Sequence, residues 1–263
     1  MSGHKNVMSR LYLLGKWVLF PGLDPLTRSR YHLLPRFFRR GPVDTLDAGC
    51  GNGALSYAAY RLGNRVLGVT KSAEDVAKAR ELFPLMGADS DRLRFEVLNL
   101  HDLHQLTQQF DQIICFETLE HILDDRLIVR YFHHLLRDGG ILHLCCPFAQ
   151  HPEHRGRFDQ TEDAGWHVRD GYTLESYRAL LEPAGFRICK HVGIGTPLAR
   201  WLNRIIMGIF HRKGPRLAVP LFLVTWPLCL FDYLNPKLPY SLYVLAVKES
   251  LTEGGPTTSA RTE

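Results

Sequence analysis

The stretch Val43 to Gly53, VDTLDAGCGNG, constrains this chain more than any other. A short β-branched and apolar run ends in Asp47, and glycine then falls at every second position, at Gly49, Gly51 and Gly53. A helix-like run, Ala54 to Leu62, follows at once. That order is a strand, a tight glycine turn and a helix start, the geometry that brings backbone N–H groups close to a nucleotide-like ligand. A dinucleotide fingerprint reads G-x-G-x-x-G, its third glycine serving helix–strand packing. Here the spacing is G-x-G-x-G, with a carboxylate two residues before the first glycine. An ordinary βα turn shares these elements, so the rest of the chain decides.

From Val43 onward, strand and helix signals alternate. Strands are expected at 43–47, 65–69, 93–98, 111–115, 141–146, 186–192 and 242–247, and helices at 53–62, 72–83, 103–109, 119–137 and 173–184. Alternation with short connections argues for a mostly parallel sheet covered on both faces. Pro84 is expected to close the second helix and Gly139-Gly140 the fourth. At 263 residues and 45% hydrophobic, the chain can bury a full core.

The net charge of +5 is unevenly spread. Residues 1–42 hold eight Lys/Arg against one acid, Asp24, and residues 187–216 hold seven and no acid, so the remainder is net acidic. Basic flanks on an acidic core suit an anionic surface or substrate, with solvated loops as the alternative. The six cysteines form no C-x-x-C pair and several sit in apolar runs. They read as reduced core thiols, so a cytoplasmic setting is expected, and a zinc site is not.

The later strands carry further motifs. Arg65-Val-Leu-Gly-Val69 ends at Thr70, and Arg94-Phe-Glu-Val-Leu-Asn99 ends at an amide. Phe110-Asp-Gln-Ile-Ile-Cys-Phe-Glu-Thr-Leu-Glu-His121 closes on E-x-L-E-H, and Leu136-Arg-Asp-Gly-Gly-Ile-Leu-His-Leu144 turns into a fifth strand. In order and spacing over residues 43–192, this set resembles the class I S-adenosylmethionine-dependent methyltransferases. The resemblance implies a Rossmann-like α/β sheet of seven strands and S-adenosylmethionine as cofactor. It implies cofactor contacts at Asp47, Gly49, Cys50, Gly51, Gly53, Thr70, Lys71, Asn99, Leu100 and Phe116. Asp47 would hold the methionine amino group. Thr70 stands where the family places an acid for the ribose hydroxyls, and Asn99 where it places an Asp near adenine. An amide still hydrogen-bonds adenine. Gly165-Trp-His-Val-Arg169 with Tyr172 resembles a segment of bacterial methyltransferases acting on glycans or lipid-linked substrates.

Methyl transfer needs an aligned acceptor, and a base when the acceptor is a hydroxyl. In such a fold ligands lie outside the carboxyl ends of the strands, where Glu117, His121, His154 and His167 are the catalytic candidates, and Arg169 and Tyr172 the substrate-side candidates. His151, Glu153 and His154 have a ligand-like spacing, but Pro152 argues against a regular helix, so a lid or acceptor loop is expected and no metal. His143, inside strand five, reads as a core histidine.

Domain organisation is expected as an N-terminal helical cap over 1–42, the catalytic sheet over 43–196 and 240–249, an apolar and basic helical insertion over 197–239, and a disordered tail over 250–263. Val7, Leu11, Leu14, Trp17 and Val18 give the cap an amphipathic stretch. In the insertion, Leu217 to Phe231 is uncharged but short of the ~20 residues of a spanning helix, and is broken by Pro220 and Pro227. With His211-Arg-Lys-Gly-Pro-Arg216 beside it, contact with an anionic membrane is expected; a lid or dimer contact is the alternative. The expected substrate is a small or lipid-linked molecule, a lipid or isoprenoid included, and no nucleic acid is called for. A nicotinamide oxidoreductase fits less well, lacking the third-glycine spacing and the acid at position 70. A non-catalytic cofactor-binding or membrane-docking module remains the alternative of a different class.

Overall fold

A computed structural model describes residues 19–156 and 167–249. The amphipathic stretch before Leu19, the loop 157–166 and the tail from 250 lie outside the described residues. Seven strands form one sheet: β1 (Asp44–Ala48), β2 (Arg65–Thr70), β3 (Leu93–Val97), β4 (Phe110–Phe116), β5 (Leu136–Pro147), β6 (Phe186–Ile194) and β7 (Ser241–Lys248). Their spatial order is β3-β2-β1-β4-β5-β7-β6. The pairs β1–β2, β1–β4, β2–β3 and β4–β5 are parallel, whereas β7 runs antiparallel to both β5 and β6. Chain order reverses between β1 and β4, which opens a crevice at their carboxyl ends.

Helices α1 (Pro25–Leu33), α2 (Ala54–Arg61), α3 (Ala73–Leu85), α4 (Asp125–Leu135) and α5 (Leu174–Leu181) accompany the sheet. Their starts follow from local chemistry: Asp24, Ser72, Asp124 and Thr173 each accept a backbone N–H from the first turn. Four expectations shift. Pro84 does not close α3, which runs through it to Leu85. The helix expected at 103–109 is a short 3-10 turn, Leu100–Gln105, because Asn99 caps it earlier by accepting from His101 N. The helix expected at 119–137 divides, since Ile122 is extended and Asp124 starts α4 afresh after a 3-10 turn at Leu119–His121. Gly139-Gly140 closes no helix: α4 ends at Leu135, and Leu136 already pairs with Phe110.

Two buried clusters fill the two faces of the sheet, one around Phe110, Phe132 and Tyr177 and the other around Tyr57, Phe83 and Phe95. His143 is fully buried, with Nδ1 on the Tyr243 hydroxyl (2.8 Å) and Nε2 on Gln112 Oε1 (3.1 Å). Burial lowers its pKa to about 3, so it is a neutral core group.

Between β6 and β7 the chain forms α6 (Pro197–Lys213), α7 (Pro215–Thr225) and a 3-10 turn, Trp226–Phe231. Pro220 lies inside α7 rather than breaking it. Leu202, Ile206, Phe222 and Cys229 form a third cluster there, with Leu23 and Trp226 packed against it. The Arg28 guanidinium of α1 stacks 4.4 Å over Phe222, and Asp232 bonds both Ser29 and the Thr196 N–H. The insertion is thereby fastened to the helix that precedes the sheet. No helix among the described residues is long and apolar enough to cross a membrane.

Candidate functional site

The glycine turn sits at the crevice, with Asp47 paired to Gly68 on one side and Ile114 on the other. Gly49, Gly51 and Gly53 all have positive φ (82°, 49° and 76°), yet the three positions differ in surroundings. A Cβ on Gly49 would come within 2.4 Å of Thr118 Oγ1, and one on Gly53 within 2.6 Å of Phe83. One on Gly51 would meet nothing within 4 Å. Gly53 is therefore required for helix packing, which changes the contact role expected of it, while Gly51 faces open space.

That space is two adjoining cavities. The first, about 300 Å³, is lined by Gly49, Gly51, Thr70, Lys71, Asn99, Leu100, Glu117 and His121, among others. The second, about 260 Å³, is lined by Asp47, Cys50, Gly51, Phe116, Glu117 and Arg30 among others. Gly49, Gly51 and Glu117 border both. Nine of the ten cofactor candidates thus line one or other of these two cavities, and Gly53 lines neither.

Asp47 is buried and accepts a short hydrogen bond from Ser56 Oγ (2.5 Å). Burial pushes its pKa up to about 6, against the opposing pull of the Ser56 hydroxyl and backbone. Arg30, which sequence reasoning missed, reaches the second cavity from α1 and pairs with Glu117 at 3.4 Å. Glu117 is a non-glycine residue at φ 49°, a strained conformation of the kind that clusters at functional sites. Its carboxylate also accepts from Ser241 Oγ (3.2 Å), and burial raises its pKa. Glu120 is fully buried, its pKa pushed to about 8 by burial and then by the Glu117 charge.

The other candidates fall in three groups. His121 lines the first cavity, and His167 packs edge-on against it with ring centroids 4.7 Å apart. The Val168 N–H donates to Glu120 O (2.8 Å) and so brings His167 to this place. His154 is buried away from both cavities, its Nε2 donating to Tyr240 O (3.0 Å), so the base role expected of it has no acceptor-side geometry. Arg169 is likewise engaged within the fold, by Asp125 and by the carbonyls of Ile122 and Leu123. Tyr172 is buried, donates to Asp125 Oδ2 (2.6 Å) and stacks on Tyr177. Arg169 and Tyr172 therefore brace the loop that carries His167, a correction to the substrate contacts expected of them.

Comparison with known proteins bears on the fold that carries these cavities. Residues 42–166 match a family model described as a methyltransferase domain. The ubiquinone biosynthesis O-methyltransferase of Xanthomonas oryzae pv. oryzae is 39% identical over 101 residues, which are 38% of this chain and 41% of that protein. The match thus spans about two fifths of that relative's length. An S-adenosylmethionine-dependent methyltransferase structure from Mesorhizobium loti superposes with a TM-score of 0.57 at 22% identity, covering 86% of this chain and 100% of that one. Phosphoethanolamine N-methyltransferase 2 of Haemonchus contortus, in complex with S-adenosylmethionine, gives 0.58 at 19% identity, covering 89% and 56%. Residues 42–166 thus carry a methyltransferase domain, and the fold is the one shared by the class I S-adenosylmethionine-dependent methyltransferases. The cofactor of this class of enzymes is S-adenosylmethionine.

The residues present fit that cofactor. Asp47 and Arg30 offer opposite charges to an amino-acid end in the second cavity, and Thr70, Lys71, Asn99 and Leu100 offer polar and apolar surface to a nucleoside in the first. A pH dependence follows. Below about pH 6 Asp47 is protonated and loses its attraction for an ammonium group. Affinity for S-adenosylhomocysteine is expected to rise as pH rises through about 6 and to level off above it. Calorimetry at pH 5.5 in buffers of different ionisation enthalpy should show proton release on binding, and Asp47→Asn should abolish that release.

Proposed function

We propose that this protein methylates a hydroxyl group on an apolar small molecule, a lipid, an isoprenoid or quinone-type compound, or a lipid-linked glycan, at the surface of an anionic membrane. The observation that carries the reading is the pair of cavities that share Gly49, Gly51 and Glu117 as lining. When bound there, S-adenosylmethionine supplies an electrophilic methyl group on a sulfonium. Glu117 and His121 line the space beside it, and His167 packs on His121. These groups suit the reception of a hydroxyl and the handling of its proton. The resemblance to a ubiquinone biosynthesis O-methyltransferase supports an oxygen acceptor.

The membrane half of the reading rests on the insertion. Nine of the twelve large apolar side chains that stand exposed among the described residues fall between Leu198 and Leu238, which a surface facing water alone does not explain. Exposed His211, Arg212, Lys213 and Arg216 lie at the junction of α6 and α7. The test is incubation with methyl-labelled S-adenosylmethionine and either a total lipid extract or a lipid-free metabolite extract. Label should enter the organic phase as an ether that survives mild base. Label only in aqueous products would overturn the choice of substrate, and label in no product from either extract would overturn the activity.

A further inference from the structure

We propose that Glu120, His121 and His167 bind one divalent transition-metal ion at the acceptor side of the cofactor cavity. One ligand atom from each of the three lies within 4.8 Å of the other two. The 3-10 turn Leu119–His121 presents Glu120 and His121 together, and the Val168 N–H to Glu120 O bond brings His167 against them. The second, independent observation is Glu120 itself. Its side chain has no solvent exposure, and neither carboxylate oxygen has a hydrogen-bond partner among the described residues. A buried carboxylate left in that state is costly, and buried charges are ordinarily paired or metal-bound.

The donor set selects the ion. Two imidazoles and one carboxylate suit zinc or ferrous iron, and are poorly matched to magnesium or calcium, which favour oxygen ligands throughout. Three protein ligands leave open positions, as catalytic rather than structural sites do. Because His121 also lines the 300 Å³ cavity, an acceptor oxygen entering that cavity lies within reach of such an ion. A metal-bound hydroxyl gives up its proton to water far more readily than a free one. This role rests on the hydroxyl-methylating reading above, whereas the binding of the ion does not.

The test uses the full chain, stripped with a chelator and dialysed, then titrated with zinc against a chromophoric competitor and separately with cobalt(II) as a spectroscopic probe. The expected result is one equivalent bound, with a visible cobalt d–d band. Glu120→Gln and His167→Asn should each weaken zinc binding by at least about 10–100-fold, the range seen when even outer-shell partners of a metal are removed. Both variants should keep wild-type affinity for S-adenosylhomocysteine, which separates loss of a ligand from loss of the fold. Absence of stoichiometric zinc binding, or binding that both substitutions leave unchanged, would overturn the proposal. Loss of S-adenosylhomocysteine binding by the wild type would instead count against the methyltransferase reading, so the two failures are distinguishable.

Discussion

Gly51→Val protein is expected to fold and to bind S-adenosylhomocysteine at least about 100-fold more weakly than wild type, a loss of about 2.7 kcal/mol. A Cβ at this position meets no protein atom within 4 Å, so the isopropyl group has room, but the room is the junction of the two cavities. Placing a β-branched residue at φ 49° adds a strain of about 1–2 kcal/mol to the fold, which a domain of this size can carry. Gly53→Val makes the contrast. Its side chain would overlap Phe83 and Phe95, so that variant should lose stability as well as binding. Calorimetry with thermal melts on both variants separates the cases. Wild-type affinity in Gly51→Val would mean that the ligand does not cross this turn.

The second large effect is expected at the membrane. Wild-type protein should co-sediment with anionic vesicles at low salt and be released at high salt. Val224 and Phe231 are 79% and 72% exposed, and each apolar side chain inserted at the interface could contribute roughly 1.5–3 kcal/mol. Each basic residue near an anionic surface adds about 1 kcal/mol, and Arg212 and Lys213 are exposed beside that apolar surface. Changing Val224 and Phe231 to Asp, or Arg212 and Lys213 to Glu, should shift most of the protein to the supernatant. Trp226 is a poor site for this test despite its place in the apolar run, because it packs against the cluster around Phe222 and its loss would damage the insertion. Wild type that stays in the supernatant with anionic vesicles at low salt would remove the membrane from the account.

The parts of this fold that were legible in the sequence are those written in local periodicity. Each strand of the sheet lies within a few residues of its expected place, because apolar runs bounded by turn residues carry that signal directly. The glycine turn was legible because its backbone demands no Cβ at three spaced positions. Helix division at Ile122 was hidden: the stretch has helical composition throughout, and only the cap at Asp124 breaks it.

The acceptor side was the least legible because it is assembled by long-range contacts. Nothing near Arg30 in the chain announces that α1 brings it to Glu117. Glu120 and His121 were visible as a motif, but their approach to His167 is made by contacts distant in sequence, the Val168 N–H on Glu120 O and the Arg169 guanidinium on the Ile122 and Leu123 carbonyls. Arg169 looked like a substrate ligand because an arginine's partners cannot be read from its neighbours in sequence. Its guanidinium is used instead by Asp125 and the carbonyls before it.

Photocrosslinking tests the placement of the cofactor most directly. Wild-type protein irradiated with methyl-labelled S-adenosylmethionine and digested should carry label in peptides spanning residues 47–53, 98–101 or 116–122, which line the two cavities. Excess unlabelled S-adenosylhomocysteine should suppress it, and Gly51→Val should not be labelled. Label confined to peptides of the insertion, or label that unlabelled S-adenosylhomocysteine does not displace, would contradict the account.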